Sequence, residues 1–203
     1  MDLSPISTIS AERIERHKAV DRIFHWVAAA SVVALLATGL LPVIGVKFPW
    51  VTIHWCAGVV LTLAVLVHLV RASSRRKLRC MWIRWRDIRG ERAAKYTLAQ
   101  KLMHHAMTLM TLLAIGTGLP MLARIDTPLW ERDPYLLAAS TWGVIYVLHG
   151  LATLAVLTLV MIHVYFSLLP EKRAYLKAMW HGWMARSEVP ADHDPARWPG
   201  APR

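Results

Sequence analysis

The sequence predicts an all-α integral membrane protein: a four-helix bundle with both termini on the cytoplasmic side. Three observations carry that expectation. The 203-residue chain is 56% hydrophobic yet has a formal net charge of +11, with a mean hydropathy of +0.37. A water-soluble domain of this size does not normally combine an apolar average with so much base. The apolar residues are gathered into four stretches that each approach the ~20 residues a spanning helix needs. The cations are segregated from those stretches, as membrane topology requires.

The predicted spans run over about 23–43, 51–70, 103–122 and 142–169. The first follows a charged segment, Glu12 to Arg22, and no small-residue cleavage site comes after it. It reads as a retained helix and not a removed signal peptide. The N-terminal arm, the connection between the second and third spans and the C-terminal segment together hold 21 of the 24 Lys and Arg residues. Lys47, Arg124 and Arg132 are the remainder, in the other two loops. With an even number of spans the three basic regions share one face, and the positive-inside rule makes it cytoplasmic. The charge therefore reads as topology plus attraction to anionic lipid; no nucleic-acid motif accompanies it.

The expected organisation is a cytoplasmic arm over 1–19, a membrane domain over 20–186 and an irregular, proline-bearing tail over 187–203. Tryptophans interleaved with base in the 71–102 loop and in 171–186 predict short helices lying in the interface. Trp50, Trp130 and Trp142 are expected in the outer aromatic belt. There is no repeat of the solenoid kind. Cys56 and Cys80 fall near opposite faces, and the absence of Cys-x-x-Cys-His argues against covalently attached haem.

Ten histidines are the chemistry-bearing residues. An ionisable side chain inside a span is costly and marks function, and histidine is the usual axial ligand of b-type haem. The intervals His54 to His68 and His149 to His163 are both fourteen residues. That is nearly four helical turns, so both members face one way, ~21 Å apart along the axis. One group then falls in each leaflet of a core ~30 Å thick. His54 and His149, the histidines of the outer half, form one pair. His163 belongs to the inner pair, and depth leaves its partner open between His25 and His68. A lone membrane histidine could instead pack against a carbonyl or relay protons; two matched intervals favour ligation. His104 and His105 read as interfacial, and His17, His181 and His193 as solvent-exposed.

Asp21 to Trp26 (DRIFHW), Ile53 to Gly58 (IHWCAG), Leu148 to Gly150 (LHG) and Ile162 to Tyr165 (IHVY) resemble the cytochrome b (gamma) subunit of membrane-bound respiratory formate dehydrogenase. Lys95-Tyr96, Ala99-Gln100-Lys101, Lys177-Ala178-Met179, Gly182, Ala185 and Arg197-Trp198 add to the likeness. The cytochromes of nickel–iron hydrogenase and thiosulfate reductase, and the small bacterial b561 proteins, share the four-helix, two-haem plan. The resemblance implies two b-type haems, an inner one on His25 and His163 and an outer one on His54 and His149. It implies a quinone, menaquinone or ubiquinone, beside the inner haem near Gln100 and near Thr97, which stands where the family has asparagine. His68 matches no ligand of that pattern and is expected as a propionate or quinone neighbour. The partners implied are an iron–sulfur (beta) subunit and, through it, a molybdenum or tungsten catalytic (alpha) subunit, within a higher-order oligomer of the complex. The chain would not oxidise formate alone. The rival readings are a hydrogenase or thiosulfate-type cytochrome, a stand-alone b561-type quinone or superoxide oxidoreductase, and a non-haem transporter.

Overall fold

The computed structural model describes residues 13–73, 80–128, 130–189 and 193–194. In chain order it contains strand β1 (Arg13–Glu15), helices α1 (Ala19–Leu40), α2 (Trp50–Ala72), the one-turn α3 (Trp85–Ile88), α4 (Leu98–Met121), α5 (Ala139–Leu168) and α6 (Arg173–His181), and strand β2 (Trp183–Ala185). Helices α1, α2, α4 and α5 are long and apolar enough to cross a membrane. Their apolar residues are not confined to one face: Val33 is 61% exposed, Leu63 58% and Val70 75%. Helices apolar all round and uncovered by neighbours belong in lipid, and the chain is a four-helix integral membrane bundle. The buried polar residues Ser31, Thr38 and Thr117 lie within these helices.

The bundle is two hairpins. Helix α1 packs along α2 and α4 along α5, while direct packing between the hairpins is slight. Helix α1 stops at Leu40, short of the predicted Val43, and α2 begins directly after Pro49. Helix α4 starts five residues before the predicted 103 because Thr97 and Gln100 cap it reciprocally. The Thr97 hydroxyl accepts from the Gln100 amide at 3.3 Å, and the Gln100 side-chain oxygen accepts from the Thr97 amide at 3.0 Å. This capping box satisfies two backbone donors that would otherwise be orphaned.

The described parts of the arm, the long connection and the C-terminal segment assemble into one cap at a single end of the bundle. Strand β1 pairs antiparallel with β2, Arg13 opposite Ala185 and Glu15 opposite Trp183. Arg16 donates to the Lys95 carbonyl at 3.0 Å, the Arg22 guanidinium donates to the Trp180 carbonyl, and Arg71 meets Asp21 at 3.3 Å. The Asp194 amide donates to the Ala93 carbonyl at 2.8 Å. Lys101 and Asp87 form a buried ion pair at 2.7 Å, with Lys101 also donating to the Trp82 carbonyl at 3.2 Å. The described parts of the three basic regions thus share one end, hereafter the basic end.

Several expectations are corrected. The helix foreseen over 171–186 stops at His181, because Gly182 takes a left-handed φ of +93° and the chain continues as β2. His193, expected in solvent, is buried beside Tyr175, and His17 is half-buried. Trp142, expected in the aromatic belt, is 3% exposed. Its indole N–H donates to the Pro134 carbonyl at 3.1 Å, and Arg124 lies over its ring. Much of the irregular tail, Arg197-Trp198 included, lies outside the described residues.

Burial, and then the cations Lys95 and Arg16, push the His17 pKa from 6.5 down to about 3, with smaller contributions from His25 and Arg22. The unfolded chain protonates this imidazole below pH 6.5 while the folded chain keeps it neutral. Its contribution to stability is therefore full above pH 6.5 and declines as the pH falls toward 3. Thermal unfolding in detergent should show a midpoint that drops across this window, and less steeply for His17→Asn. Parallel slopes for the two proteins would refute the assignment.

Candidate functional site

The two hairpins face each other through histidines. His25 of α1 and His163 of α5 oppose one another at the basic end, ring centroids 6.3 Å apart with planes at 52°. His54 of α2 and His149 of α5 do the same at the far end, also at 6.3 Å, with planes at 70°. Two metal–imidazole bonds of ~2 Å each, extended to the ring centres, span roughly 6 Å. Both pairs are spaced to take one metal atom between their rings. Of the two partners that depth left open for His163, His25 is the one facing it. His68 stacks on Phe24, centroids 4.1 Å apart, and stands 6.5 Å from His104.

The far-end pair has its protonation fixed by threonine. The Thr38 hydroxyl donates to the Ala34 carbonyl at 2.6 Å and therefore accepts from His54 Nδ1–H at 2.8 Å. In the second hairpin the Thr117 hydroxyl donates to the Leu113 carbonyl at 2.7 Å and accepts from His149 Nδ1–H at 3.0 Å. The Ala114 carbonyl, an acceptor only, lies 3.1 Å from the same nitrogen. With the proton on Nδ1, Nε2 keeps its lone pair for a metal, the arrangement usual around ligating histidines. A glycine follows each threonine: a Cβ on Gly118 would stand 3.2 Å from His149 Cε1, tighter than side chains ordinarily pack, whereas one on Gly39 would make ordinary contact with His54 Cε1 at 3.6 Å. At the basic end, His25 Nδ1 is buried with no hydrogen-bond partner among the described residues.

These correspondences make the hairpins internal repeats. Thr117-Gly118 follows Thr38-Gly39 by 79 residues, and His104 follows His25 by the same interval. His149 follows His54, and His163 follows His68, by 95. The signal stood in the sequence as two Thr-Gly pairs near the ends of predicted spans, and the reading above missed it. Thr38, Thr117, Gly39 and Gly118 were missed with it. Thr97 and Gln100, the expected quinone contacts, lie at the N-terminus of α4 and are engaged with each other in its cap.

The residues fit b-type haem: paired imidazoles with available Nε2, set between membrane helices in a chain without the Cys-x-x-Cys-His attachment motif. That combination defines a membrane haem protein of the cytochrome b class. The family model described as prokaryotic cytochrome b561 matches residues 16–182, and the chain belongs to that family, whose members bind haem b and transfer electrons in the membrane. No curated protein matches the chain.

Thr117→Val keeps the side-chain shape but removes one of the two acceptors for His149 Nδ1–H, leaving the Ala114 carbonyl. Loss of such a partner typically costs 10–100-fold in affinity for the metal group. Haem transfer to an apo-globin should quicken correspondingly in Thr117→Val and not in Thr158→Val, whose hydroxyl donates to the Leu154 carbonyl of its own helix.

Proposed function

We propose that this chain is the membrane-anchoring, di-haem cytochrome b subunit of a respiratory formate dehydrogenase, carrying electrons from an iron–sulfur subunit to a quinone. The observation supporting transmembrane electron transfer is the pair of facing histidine sets at the two ends of one bundle. The fourteen-residue step along α5 from His149 to His163 corresponds to ~21 Å. The particular complex rests on the resemblance of the motifs around His25, His54, His149 and His163.

In this reading the basic end is cytoplasmic. His54 and His149 hold the outer haem, and His25 and His163 the inner one. Haem supplies one-electron carriage between its ferric and ferrous states; the protein's part is to ligate, bury and tune it. Thr38 and Thr117 would strengthen the outer imidazoles as donors, while among the described residues no hydroxyl seats His25 Nδ1. A haem held at the outer site would have its oxidised state favoured by these stronger donors. The iron–sulfur partner delivers electrons at the outer end. The quinone takes them beside Gln100, with Thr97 near it and His68 a neighbour, and draws its protons from the cytoplasm.

The test is isolation from native membranes in mild detergent. Expected are an iron–sulfur subunit and a molybdenum or tungsten catalytic subunit in the preparation, and haem reduction on adding formate, followed by quinone reduction. Reduction by hydrogen and not formate would move the chain to a hydrogenase. A lone subunit reduced only by quinol would make it a stand-alone b561-type oxidoreductase. Either result overturns the formate assignment.

A further inference from the structure

Arg22, at the start of α1, carries a charge that the cap does not neutralise. Among the described residues its guanidinium makes one hydrogen bond, Nη1 to the Trp180 carbonyl, and Nε is buried with no partner. The neighbouring carboxylate, Asp21, is taken by Arg71 at 3.3 Å. Arginine does not deprotonate in proteins, so the charge calls for an anion. Arg22 lines a cavity of about 380 Å³ whose other walls are Ala19, Ile23, Trp26, Val27 and Trp180. The Trp26 and Trp180 rings lie against each other, centroids 4.2 Å apart, so α1 and α6 wall the cavity together. Its lip is apolar and uncovered: Ile23 is 63% exposed, Val27 37% and Trp180 58%. At ~100° per residue, the α1 positions that line it centre ~130° round the helix from His25. The cavity therefore opens on the lipid side of α1, away from the histidine that faces His163.

We propose that this cavity holds the head of an anionic phospholipid, its phosphate on the Arg22 guanidinium and the start of its acyl chain on Ile23 and Val27. A cation at the end of a spanning helix, apolar side chains leading from it along the span and two indoles at headgroup depth are the complement of one phosphodiester with a chain attached. The volume is at the small end for ligand sites. It takes a headgroup and the first carbons of a chain, and the rest of the lipid stays in the bilayer. The charge selects the lipid class. A zwitterionic headgroup brings its own cation to a site that already has one unneutralised, and an anionic headgroup does not. The basic regions as a whole attract acidic lipid diffusely; this is one bound lipid at one place. It depends on α1 spanning a membrane and not on which complex the chain serves.

The experiment is native mass spectrometry of the intact protein extracted in mild detergent and titrated with phosphatidylglycerol or phosphatidylcholine, with the haem spectrum recorded on the same samples. Expected in the parent is one phosphatidylglycerol that survives delipidation and that phosphatidylcholine does not displace. Arg22→Gln should weaken that lipid at least ~10-fold, the size of a lost hydrogen bond to a charged group, with the haem spectrum unchanged. Arg22→Lys should restore most of the binding. Lys177→Gln, which removes a 68%-exposed charge from α6 outside the cavity, should leave it intact. Phosphatidylcholine held as tightly as phosphatidylglycerol would overturn the proposal on the parent alone, whether or not a variant folds. Equal lipid retention in the parent and Arg22→Gln would overturn it as well. A haem spectrum altered in Arg22→Gln would hand the guanidinium to a haem carboxylate. A parent that keeps no lipid and runs as a dimer broken by Ile23→Ser would make the cavity a contact between copies. Either of these last results overturns the lipid site.

Discussion

His149→Ala is expected to lower the haem content by one per chain and to remove one component of the reduced-minus-oxidised spectrum. His149 is held in place by the Thr117 hydroxyl at 3.0 Å and the Ala114 carbonyl at 3.1 Å, so its Nε2 is aimed before any ligand arrives. Alanine deletes that donor and leaves His54, still held by Thr38 at 2.8 Å, with no imidazole facing it at 6.3 Å. One axial bond must then retain a group that two retained before. The partner substitution His54→Ala should give the same spectrum. The double variant should lose no more than either single one, because both side chains serve one group and their effects do not add. His163→Ala should remove a different spectral component, and combining it with His149→Ala should be additive. On the proposed function, reduction driven from an iron–sulfur subunit should fail in His149→Ala while reduction by quinol persists. Additive loss between His54→Ala and His149→Ala, or the same component lost in His149→Ala and His163→Ala, would break the pairing across the two hairpins.

The parts of this molecule that were legible in sequence are those set by composition along one helix. Four apolar runs specify four spans because lipid tolerates little else at that length, and the fourteen-residue steps between histidines are a property of helical pitch alone. Ends were less legible. Leu98 begins α4 because Thr97 and Gln100 bond to each other's backbone amides, and the sequence reading assigned these residues to quinone without their cap. The basic end was legible in charge and not in shape. Nothing in the local pattern of Trp183–Ala185 announces a strand; its partner Arg13–Glu15 stands about 170 residues earlier. His193 looked like a tail residue, yet the bridge between its neighbour Asp194 and Ala93 carries it into the cap. Depth could not separate His25 from His68 because both lie near the same face. The ring orientation that separates them depends on how one hairpin rotates against the other, a tertiary quantity. The repeat stood in the sequence and was not recognised there. Thr38-Gly39 and Thr117-Gly118 look like ordinary small residues of membrane helices until a histidine ring is seen against each.

Gly182→Val should destabilise the cap at the basic end by about 3 kcal/mol or more, and should disturb the His25/His163 pair before the His54/His149 pair. Two separate costs fall on one position. The backbone there has φ +93°, a conformation that carries about 1–3 kcal/mol of strain for a side-chain-bearing residue and the upper end of that for a β-branched one. A Cβ would also stand 2.9 Å from the His17 carbonyl oxygen and 3.3 Å from the Arg22 guanidinium. Backbone cannot retreat here, because the Gly182 carbonyl accepts from the amides of Arg16 at 2.8 Å and His17 at 2.9 Å. These bonds join the C-terminal segment to the residues immediately before α1, which carries His25 in its second turn. Arg22 reaches the Trp180 carbonyl from the same helix, and Trp26 donates to the Met179 carbonyl at 3.4 Å. Loosening this joint frees the start of α1 while leaving Thr38, Thr117, His54 and His149 untouched at the far end. Limited proteolysis in detergent should therefore cut the Gly182→Val cap faster, with the His25/His163 spectral component broadened or lost and the His54/His149 component retained. Gly45→Val isolates the strain alone, since Gly45 has φ +91° with no heavy atom within 4 Å of a Cβ, and it should leave both components in place. Equal effects of the two substitutions on proteolysis would show that the clash with His17 contributes nothing. Loss of the His54/His149 component in Gly182→Val would show that the cap holds the whole bundle together and not its basic end alone.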